Sequence, residues 1–257
     1  MYNPMDMTGR NVMVTGAAQG IGKATAQMLY DLGANLTLLD MNEESLKGAA
    51  DEFEEGRVLL SAGSVSDREF LQQLVVKAAD RFGGIHGLVN NAGITRTAMI
   101  EKMMVEDWSA VIDVNLTGVF NCIQIAGADM LKRARVGESN PGAIVNISSD
   151  AGRKGTMGQI NYGAAKAGVL GMTMSAAREW GRYGVRVNSV CYGVVETDMT
   201  EIVRSEKFRD KYLSNIPLGR FLAADEAANA ICFFISGAGV HITGQHLSVN
   251  GGSHMSG

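Results

Sequence analysis

The chain has 257 residues, of which 46% are hydrophobic and 19% are charged, and its net charge at pH 7 is −4. A chain of this length can bury most of its apolar surface in a core without help from disulfides or metals. The basic residues are dispersed and no apolar run reaches the roughly 18 residues of a membrane span, which argues against nucleic-acid and membrane partners.

Short aliphatic or β-branched runs alternate with segments of helical periodicity along the whole chain. We predict strands at residues 11–15, 35–40, 57–61, 87–90, 143–148, 185–190 and 245–249, and helices between them that include residues 21–32, 67–82, 106–132 and 224–235. Such alternation predicts right-handed crossovers and a parallel sheet. The expected fold is therefore α/β, a three-layer Rossmann-like doubly wound parallel sheet of about seven strands with helices on both faces, in one domain over residues 1–257.

Two stretches interrupt this alternation. Residues 133–142 are polar and contain Gly137, Asn140 and Pro141, which indicates an exposed loop. Residues 196–222 separate the sixth strand from the next helix by more than a usual connection, and they follow the carboxyl end of a strand, where open parallel sheets bind ligands. We expect this second stretch to be a lid or substrate loop.

A glycine-rich turn joins the first strand to the first helix. Gly16, Gly20 and Gly22 let the backbone turn tightly there, and free N–H groups at a helix N-terminus favour an anion such as a pyrophosphate. The spacing differs from the usual dinucleotide fingerprint, and an ordinary glycine-rich turn has the same composition. Its position before the first helix, followed by an acidic residue after the second strand, favours cofactor binding.

That acidic residue is Asp40, 18 residues beyond Gly22. A carboxylate at this place accepts hydrogen bonds from ribose hydroxyls and repels a 2′-phosphate. Gln19 and Met41 supply no positive charge for such a phosphate. We therefore predict NAD rather than NADP, although Asp40 could instead cap the helix that starts near Asn42.

Several of these residues resemble signatures of the short-chain dehydrogenase/reductase family, from Gly9 to Gly252. The glycine turn resembles that family's cofactor motif, and the Asn90-Asn91-Ala92-Gly93 run resembles its second signature. Ser149 lies 13 residues before Tyr162, and Tyr162 lies four residues before Lys166, as in the family's Ser and Tyr-x-x-x-Lys motifs. The resemblance implies catalytic roles for Asn115, Ser149, Tyr162 and Lys166. It implies a cofactor site formed by Gly16, Gln19, Gly20, Ile21, Gly22, Asp40, Ser64, Val65, Asn91, Ala92, Gly93, Tyr162, Lys166, Gly193, Val195 and Thr197.

The Tyr162 and Lys166 pair also has a chemical rationale. Oxidising an alcohol by hydride transfer requires a base for the hydroxyl proton, and a tyrosine with an ordinary pKa of about 10 is a poor base at neutral pH. Lys166 lies one helical turn away, so its ammonium can stabilise the phenolate together with a positive nicotinamide ring. Ser149 can hold the substrate oxygen, and Asn115 can hold a water that leads protons to solvent. The same spacings, taken singly, also fit a helix-surface pair, a turn serine and a helical asparagine.

The sequence departs from the family pattern at three places. Ser64-Val65 replaces a common Asp-Val pair, so the adenine contact is expected to be weaker or to come from the Val65 backbone. Tyr192 replaces a proline that fixes the turn beside the nicotinamide. We expect Tyr192 to line the active site and to contact substrate, with Ser149 and Tyr162, unless the substitution is simply tolerated. The 133–142 loop is longer than usual.

The favoured function is hydride transfer between NAD and a small secondary alcohol or ketone, such as a polyol, a cyclic alcohol or a hydroxy acid. The alternative is a reductase similar to 3-oxoacyl-carrier-protein reductases, with which the chain shares Ile94, Thr95 and Arg96. Those enzymes generally prefer NADPH and present basic residues to an acidic carrier, whereas here Tyr183 stands where a carrier-contacting arginine is common, beside Arg182. A regulator that binds a dinucleotide without turnover is the third alternative.

The remaining expectations concern partners and compartment. Family members usually form tetramers, which implies contacts through residues 106–132, 159–182 and the 249–257 tail. Cys122, Cys191 and Cys232 are far apart and flanked by apolar residues, which indicates buried thiols in a reducing compartment. The spacing of His241 and His246 does not suggest a metal site. With a polar N-terminus that does not resemble a secretory signal, we expect a cytoplasmic protein.

Overall fold

The computed structural model describes residues 2–255. Seven strands form one sheet in the order β3-β2-β1-β4-β5-β6-β7, and every neighbouring pair is parallel. The strands are β1 (Asn11–Thr15), β2 (Asn35–Asp40), β3 (Val58–Ala62), β4 (Gly87–Asn90), β5 (Gly142–Ser149), β6 (Val185–Tyr192) and β7 (His246–Val249). The predicted fold class is confirmed, and β1, β2 and β4 have the predicted bounds.

The helices cover both faces of this sheet. They are α1 (Gly20–Asp31), α2 (Glu43–Ala49), α3 (Arg68–Phe82), α4 (Val105–Ile112), α5 (Gly118–Arg135), α6 (Ala151–Lys154), α7 (Ile160–Trp180), α8 (Glu201–Arg204), α9 (Glu206–Leu213) and α10 (Ala224–Ile235). The predicted 106–132 helix is interrupted, because a π-helical turn, Asp113–Thr117, joins α4 to α5. A π turn inserts an extra residue and often marks a functional site.

The core follows from the alternation of side chains along the strands. Val12 and Val14 of β1 pack with α1 and α10 on one face, whereas Met13 packs with α3, α5 and α7 on the other. All eight residues of β6 are buried, as expected of a central parallel strand covered on both faces. Cys122, Cys191 and Cys232 are buried, as predicted.

Chain direction fixes where a ligand can bind. The order of connections reverses at β1 and β4, which lie side by side although β2 and β3 come between them in sequence. A crevice forms outside the carboxyl ends of strands at such a switch point. The turn after β1, the segment after β4 and the ends of β5 and β6 therefore meet at one edge.

The 196–222 segment has more regular structure than the expected loop. It contains a 3₁₀ turn, Asp198–Thr200, followed by α8 and α9. Its ends lie together, because Val195 pairs with Leu222 and Glu196 N donates to the Leu222 carbonyl at 2.8 Å. The segment thus leaves the sheet and returns to the same place, a geometry typical of compact functional loops.

Two further features concern single elements. The 133–142 stretch was expected to be a loop throughout, but α5 continues to Arg135, and Arg133 and Arg10 both contact Glu138. The continuous stretch Val105–Arg135 is long and apolar enough to cross a membrane by length and composition, but half of its most apolar window is buried inside the protein. This burial is typical of a core helix.

Candidate functional site

A cleft of about 410 Å³ opens at the carboxyl edge of the sheet. Its wall contains seventeen of the nineteen residues predicted for the site, namely Gly16, Gln19, Gly20, Ile21, Asp40, Ser64, Val65, Asn91, Ala92, Gly93, Ser149, Tyr162, Lys166, Tyr192, Gly193, Val195 and Thr197. Gly22 and Asn115 lie behind this wall. The tertiary structure thus brings residues from the whole length of the chain into one cavity.

The glycines of the turn after β1 are required by close approaches. Gly16 and Gly20 have φ values of 65° and 54°, in the left-handed region that favours glycine. A Cβ on Gly22 would collide with the Gly16 carbonyl oxygen, and a Cβ on Gly16 would lie 2.9 Å from the Ala92 Cα. The N-terminus of α1 therefore packs directly on the turn, and Gly22 acts through this packing rather than from the cavity wall.

The N-terminus of α1 suits an anion. Its N-cap residue, Gln19, makes no capping hydrogen bond with its side chain, and within the described chain the first turn of the helix has no acidic residue. The first N–H groups of a helix lack intrahelical partners and carry a partial positive charge. Gln19, Gly20 and Ile21 thus offer free donors to a phosphate in the cleft.

The segment after β4 holds this turn in place. Thr15 Oγ1 accepts hydrogen bonds from Asn91 N and Ala92 N, both at 3.0 Å. Asn91 Nδ2 donates to the carbonyls of Thr15 and Gly16 at 3.1 and 3.0 Å. The two segments that resemble cofactor signatures are therefore one hydrogen-bonded unit.

Asp40 lies at the end of β2 with its carboxylate directed at the turn. Oδ2 accepts from Ala18 N at 3.1 Å, and Oδ1 accepts from Asn42 N at 3.0 Å. The helix cap is made by Asn42 itself, whose side chain accepts from Ser45 N. Asp40 is consequently free of the capping role and presents its negative charge to the adjoining part of the cleft.

Ser64 and Val65 use part of their polar groups within the protein. Ser64 Oγ accepts from Ser66 N at 3.1 Å, and the Val65 carbonyl accepts from Asn121 Nδ2 at 3.1 Å. The Ser64 side chain thus fixes its own turn, while Val65 adds an apolar wall to the cleft.

Ser149 stands at the carboxyl end of β5 with its hydrogen available. Its Oγ accepts a hydrogen bond from Ala151 N at 3.2 Å. Because that bond uses a lone pair, the hydroxyl proton remains available for an oxygen in the cleft. Ser149 and Tyr162 lie in the same wall within hydrogen-bonding reach of each other, so one oxygen atom in the cleft can approach both.

Lys166 is almost fully buried, one helical turn after Tyr162 in α7. Its Nζ donates to the Ile147 carbonyl at 2.7 Å and lies 5.6 Å from the centre of the Tyr162 ring. Burial lowers the pKa of Lys166 to about 8. An ammonium with so little hydration interacts strongly with any negative charge that develops on the tyrosine.

The protein's own groups do not make Tyr162 acidic. Burial raises its pKa to about 12, and the hydrogen bond with Ser149 opposes this rise. Burial dominates because it disfavours the phenolate. Lowering the pKa of Tyr162, as the sequence led us to expect, requires positive charge beyond that of the protein.

Asn115 lies in the π-helical turn and is completely buried. Its side chain pairs with the backbone of Ile94 in both directions: Oδ1 accepts from Ile94 N at 2.8 Å, and Nδ2 donates to the Ile94 carbonyl at 2.9 Å. Ile94 lines the cleft. The side chain of Asn115 thus fixes the wall beside the site, and the water-holding role that the sequence led us to expect stays a prediction.

Tyr192 forms part of the wall, but its phenol points elsewhere. The hydroxyl donates to the Ala227 carbonyl in α10, and the residue is only 3% exposed. Burial raises its pKa. The hydroxyl is therefore bound to α10, because the ring packs between the sheet and that helix, and the expected contact of Tyr192 with substrate stays a prediction.

Comparison with known proteins assigns the family. The family model described as Enoyl-(Acyl carrier protein) reductase matches residues 16–254. The chain belongs to the short-chain dehydrogenase/reductase family.

Individual members of this family are similar over nearly the whole chain. The 3-oxoacyl-[acyl-carrier-protein] reductase FabG of Thermotoga maritima is 43% identical over 250 residues, which cover 96% of this chain and 99% of that protein. A short-chain dehydrogenase/reductase of Brucella melitensis, described as a glucose/ribitol dehydrogenase, superposes with a TM-score of 0.91 at 32% identity and covers 98% and 99% of the two chains. Levodione reductase superposes with a TM-score of 0.89 at 30% identity, over 96% and 98%.

As a short-chain dehydrogenase/reductase, the chain is an oxidoreductase with a nicotinamide dinucleotide as its cofactor. The residues present fit such a group. The uncapped N–H groups at the start of α1 can bind phosphates, and the glycines of the turn after β1 leave space that a Cβ would fill. A carboxylate stands at the end of β2. Among residues 2–255, no cluster of three or more His, Cys, Asp or Glu side chains could hold a metal ion.

Two residues beside this dehydrogenase site were missed in the sequence. Asn161 is fully buried, and its Oδ1 accepts from Tyr162 N at 2.8 Å while its Nδ2 donates to the carbonyls of Arg96 and Asp107. Asp150 follows Ser149 and is 6% exposed. Adjacency to a catalytic motif was the only sequence signal for either, since their partners are distant in the chain.

Proposed function

We propose that this chain reduces a 3-oxoacyl thioester, with Tyr162 as the proton donor and NADH as the reductant. The arrangement of Ser149, Tyr162 and Lys166 in the wall of one cleft with a phosphate-binding turn is the observation that carries the carbonyl-reduction chemistry of this proposal. The family model and the relative from Thermotoga maritima support the acyl-thioester substrate. The same groups run the reverse reaction on the corresponding alcohol.

The protein's side chains handle the proton. Ser149 can donate its hydroxyl hydrogen to the substrate carbonyl oxygen, since the hydrogen bond from Ala151 N uses a lone pair and leaves that hydrogen free. Tyr162 is protonated at neutral pH and gives its proton to the same oxygen as negative charge develops there. Lys166 stabilises the phenolate that remains. A bound nicotinamide dinucleotide supplies the hydride in reduction and accepts it in oxidation.

The preference for NADH rests on Asp40. Its carboxylate is fixed beside the turn by Ala18 N and Asn42 N, and the next residue, Met41, is 74% exposed and uncharged. A 2′-phosphate at this edge of the cleft would meet a negative charge, whereas ribose hydroxyls would find an acceptor. This assignment differs from the NADPH preference that the resemblance to carrier-protein reductases implies.

Two surface features support an acyl chain on an acidic carrier. Met199 lines the cleft and is half-exposed, and Ile202 and Leu218 of the same segment are more than 70% exposed, which offers an apolar surface at the mouth. Tyr183 is flanked by the guanidinium groups of Arg182 and Arg135, at 4.7 and 6.0 Å from its ring centre. This pair gives the surface around Tyr183 the positive charge that Tyr183 itself lacks.

A second candidate is the oxidation of a small secondary alcohol, such as a polyol, a cyclic alcohol or a hydroxy acid, by NAD. Asp40 favours it, since a site selective for NAD also serves oxidation, and the structurally similar glucose/ribitol dehydrogenase supports it. The catalytic residues are the same in both candidates. The two candidates differ only in the substrate that binds at the 196–222 segment and at the apolar mouth of the cleft.

The deciding experiment is a substrate screen that monitors the nicotinamide absorbance. We expect acetoacetyl-carrier protein and acetoacetyl-coenzyme A to be reduced with NADH at a kcat/KM at least tenfold above that with NADPH. Turnover of alcohols with NAD but of neither thioester would favour the second candidate. No turnover on either panel, with dinucleotide binding intact, would favour a regulator. The Tyr162→Phe variant is the control for adventitious activity.

The remaining proposals concern organisation. We propose one catalytic domain over residues 1–257, of which residues 1, 256 and 257 lie outside the described structure. We also propose a cytoplasmic homotetramer whose contacts involve residues 106–132, 159–182 and the 249–257 tail. Trp108, Met174 and Met255 support this proposal, since each exposes more than a third of its surface on one of these parts. Light scattering of the purified protein tests the assembly, and a monomer would overturn it.

A further inference from the structure

The carboxylate of Asp150 is held by the C-terminal end of the described chain. Asn250 Nδ2 donates to Asp150 Oδ1 at 2.9 Å and to Oδ2 at 3.1 Å, and Ser253 Oγ donates to Oδ2 at 2.9 Å. Lys154 Nζ approaches Oδ2 at 3.5 Å from the solvent side. Residues 250–254 are called the C-terminal hook here. Asp150 is thus a buried carboxylate whose hydrogen-bond donors, Asn250 and Ser253, are 100 and 103 residues away in sequence.

The C-terminal hook is itself a fixed turn. Asn250 Oδ1 accepts from Gly252 N at 3.0 Å, and the Asn250 carbonyl accepts from Ser253 N at 3.2 Å. Asn250 Nδ2 also donates to the His254 carbonyl at 2.9 Å. Because its one side-chain amide bonds both the hook and Asp150, the two cannot move independently.

The hook also touches the two segments that border the cleft. A Cβ on Gly193 would lie 2.9 Å from the Asn250 Cβ, so the turn after β6 packs directly on the hook. Leu218 N donates to the Gly251 carbonyl at 3.1 Å, and a Cβ on Gly252 would lie 2.9 Å from Pro217. The end of the 196–222 segment therefore rests on the same turn.

Asp150 transmits this anchoring to the catalytic serine. It is the residue after Ser149, its N–H donates to the Tyr192 carbonyl at 2.9 Å, and its own carbonyl accepts from Arg153 N and Lys154 N. The next N–H, that of Ala151, is the one that binds Ser149 Oγ. The position of the Ser149 hydroxyl thus depends on the backbone that the Asp150 carboxylate ties to the hook.

We propose that Asp150 and the C-terminal hook form a clasp that positions Ser149 and the end of the 196–222 segment relative to each other. Asp150 and Asn250 are positioning residues: they act through Ser149, Gly193 and Leu218 and do not touch the substrate. The clasp couples the oxygen-binding serine to the segment that borders the substrate mouth. The predicted effect of the clasp on activity rests on the proposed function, whereas its predicted effect on hydrogen exchange does not.

The test compares Asp150→Ala, Asp150→Asn and Ser253→Ala with the wild type. Asp31→Ala is the matched control, since Asp31 is an exposed carboxylate with a single amide partner, Gln27. Misplacement of a catalytic group by about 1 Å costs on the order of 100-fold in rate. We expect Asp150→Ala to lower kcat by about 10- to 100-fold while the Kd for NADH changes less than about threefold. Asp150→Asn keeps an acceptor for Asn250 and should recover most of kcat.

Hydrogen exchange measures whether the clasp holds the structure together, and it needs no substrate. We expect faster exchange at residues 214–222 and 151–154 in Asp150→Ala and, more weakly, in Ser253→Ala, with no change in the control. Exchange and kcat at wild-type values in Asp150→Ala would overturn the clasp. Asp150→Asn as impaired as Asp150→Ala would also overturn it, because charge rather than position would then matter. Should Asp150→Ala fail to fold, both the kinetic and the exchange measurements are made on Ser253→Ala and Asp150→Asn.

A wild-type protein that turns over no substrate refutes the proposed function. The exchange measurement then decides whether the clasp exists.

Discussion

Lys166 Nζ lies 5.6 Å from the centre of the Tyr162 ring and donates its 2.7 Å hydrogen bond to the Ile147 carbonyl. The lysine is therefore anchored to β5, and its charge reaches the tyrosine through space. This relationship assigns separate tasks to the two residues. In the proposed reaction Tyr162 carries the proton, and the charge of Lys166 lowers the free-energy cost of removing it.

The first prediction concerns Tyr162→Phe. The substitution removes the proton donor and leaves the ring in place, so we expect kcat to fall by at least about 1000-fold, within the range of general acid catalysis. The Kd for NADH, measured by fluorescence titration, should stay within about threefold of the wild type. Activity above a tenth of the wild-type value would rule out Tyr162 as the proton donor.

The second prediction concerns the pH dependence of reduction. Burial lowers the pKa of Lys166 to about 8, so its ammonium is present below that pH and is lost above it. A neutral lysine cannot stabilise the phenolate that forms when Tyr162 donates its proton. We expect kcat/KM for reduction to be level below pH 7 and to fall as the pH rises through about 8. A profile level up to pH 10 would show that Lys166 keeps its charge there.

The third prediction concerns Asp40→Ser. The change removes a charge that repels a 2′-phosphate and two acceptors for ribose hydroxyls. We expect the ratio of kcat/KM for NADH to that for NADPH to fall at least about tenfold, which corresponds to about 1.4 kcal/mol. Asp31→Ser, an exposed carboxylate at the far end of α1, should leave the ratio unchanged. An unaltered ratio in the Asp40 variant would remove the basis for the NADH assignment.

The fourth prediction concerns Tyr192→Phe. The hydroxyl binds Ala227 in α10, so its loss should lower the free energy of unfolding by about 1 kcal/mol. We expect kcat/KM for every substrate to stay within twofold of the wild type. Chemical denaturation and a substrate panel measure the two effects. A change in substrate preference without a loss of stability would instead give Tyr192 a direct role in the site.

The fifth prediction concerns stability in mild acid. His86 Nδ1 accepts from Asn11 N at 3.1 Å, and burial, followed by the charges of Arg10 and Arg133, lowers its pKa to about 4 from 6.5. In the unfolded chain His86 takes up a proton as the pH falls below 6.5, whereas the folded protein resists protonation down to about 4. Stability is therefore lost as the pH falls through this window.

The measurement is urea unfolding at pH 7 and pH 5. Between these values the wild type should lose about 2 kcal/mol more than His86→Gln, because the variant lacks this titration. The carboxylates titrate in both proteins and cancel in the comparison. Equal losses in the two proteins would show that His86 is protonated in the folded state at pH 5.

Local patterns predicted much of this fold. Runs such as Asn11–Thr15 and Asn35–Asp40 are short, aliphatic and bounded by turn residues, so their strand bounds follow from neighbours in sequence. The π-helical turn, Asp113–Thr117, could not be predicted in this way. The residues around it have uninterrupted helical periodicity, whereas the turn places Asn115 against the backbone of Ile94, a segment 21 residues earlier in the chain.

The same distinction between local pattern and tertiary structure applies to the candidate site. Residue types and spacings determined which groups are present: a tyrosine and a lysine one helical turn apart, a serine before them, glycines at a helix N-terminus and an acid after the second strand. Tertiary structure alone decided their states, namely the burial that shifts the pKa values of Tyr162 and Lys166 in opposite directions, and the destination of the Tyr192 hydroxyl. The reason is physical: a pattern records neighbours within a few residues, whereas burial and long-range hydrogen bonds, such as that between Asp150 and Asn250, depend on which distant elements pack together.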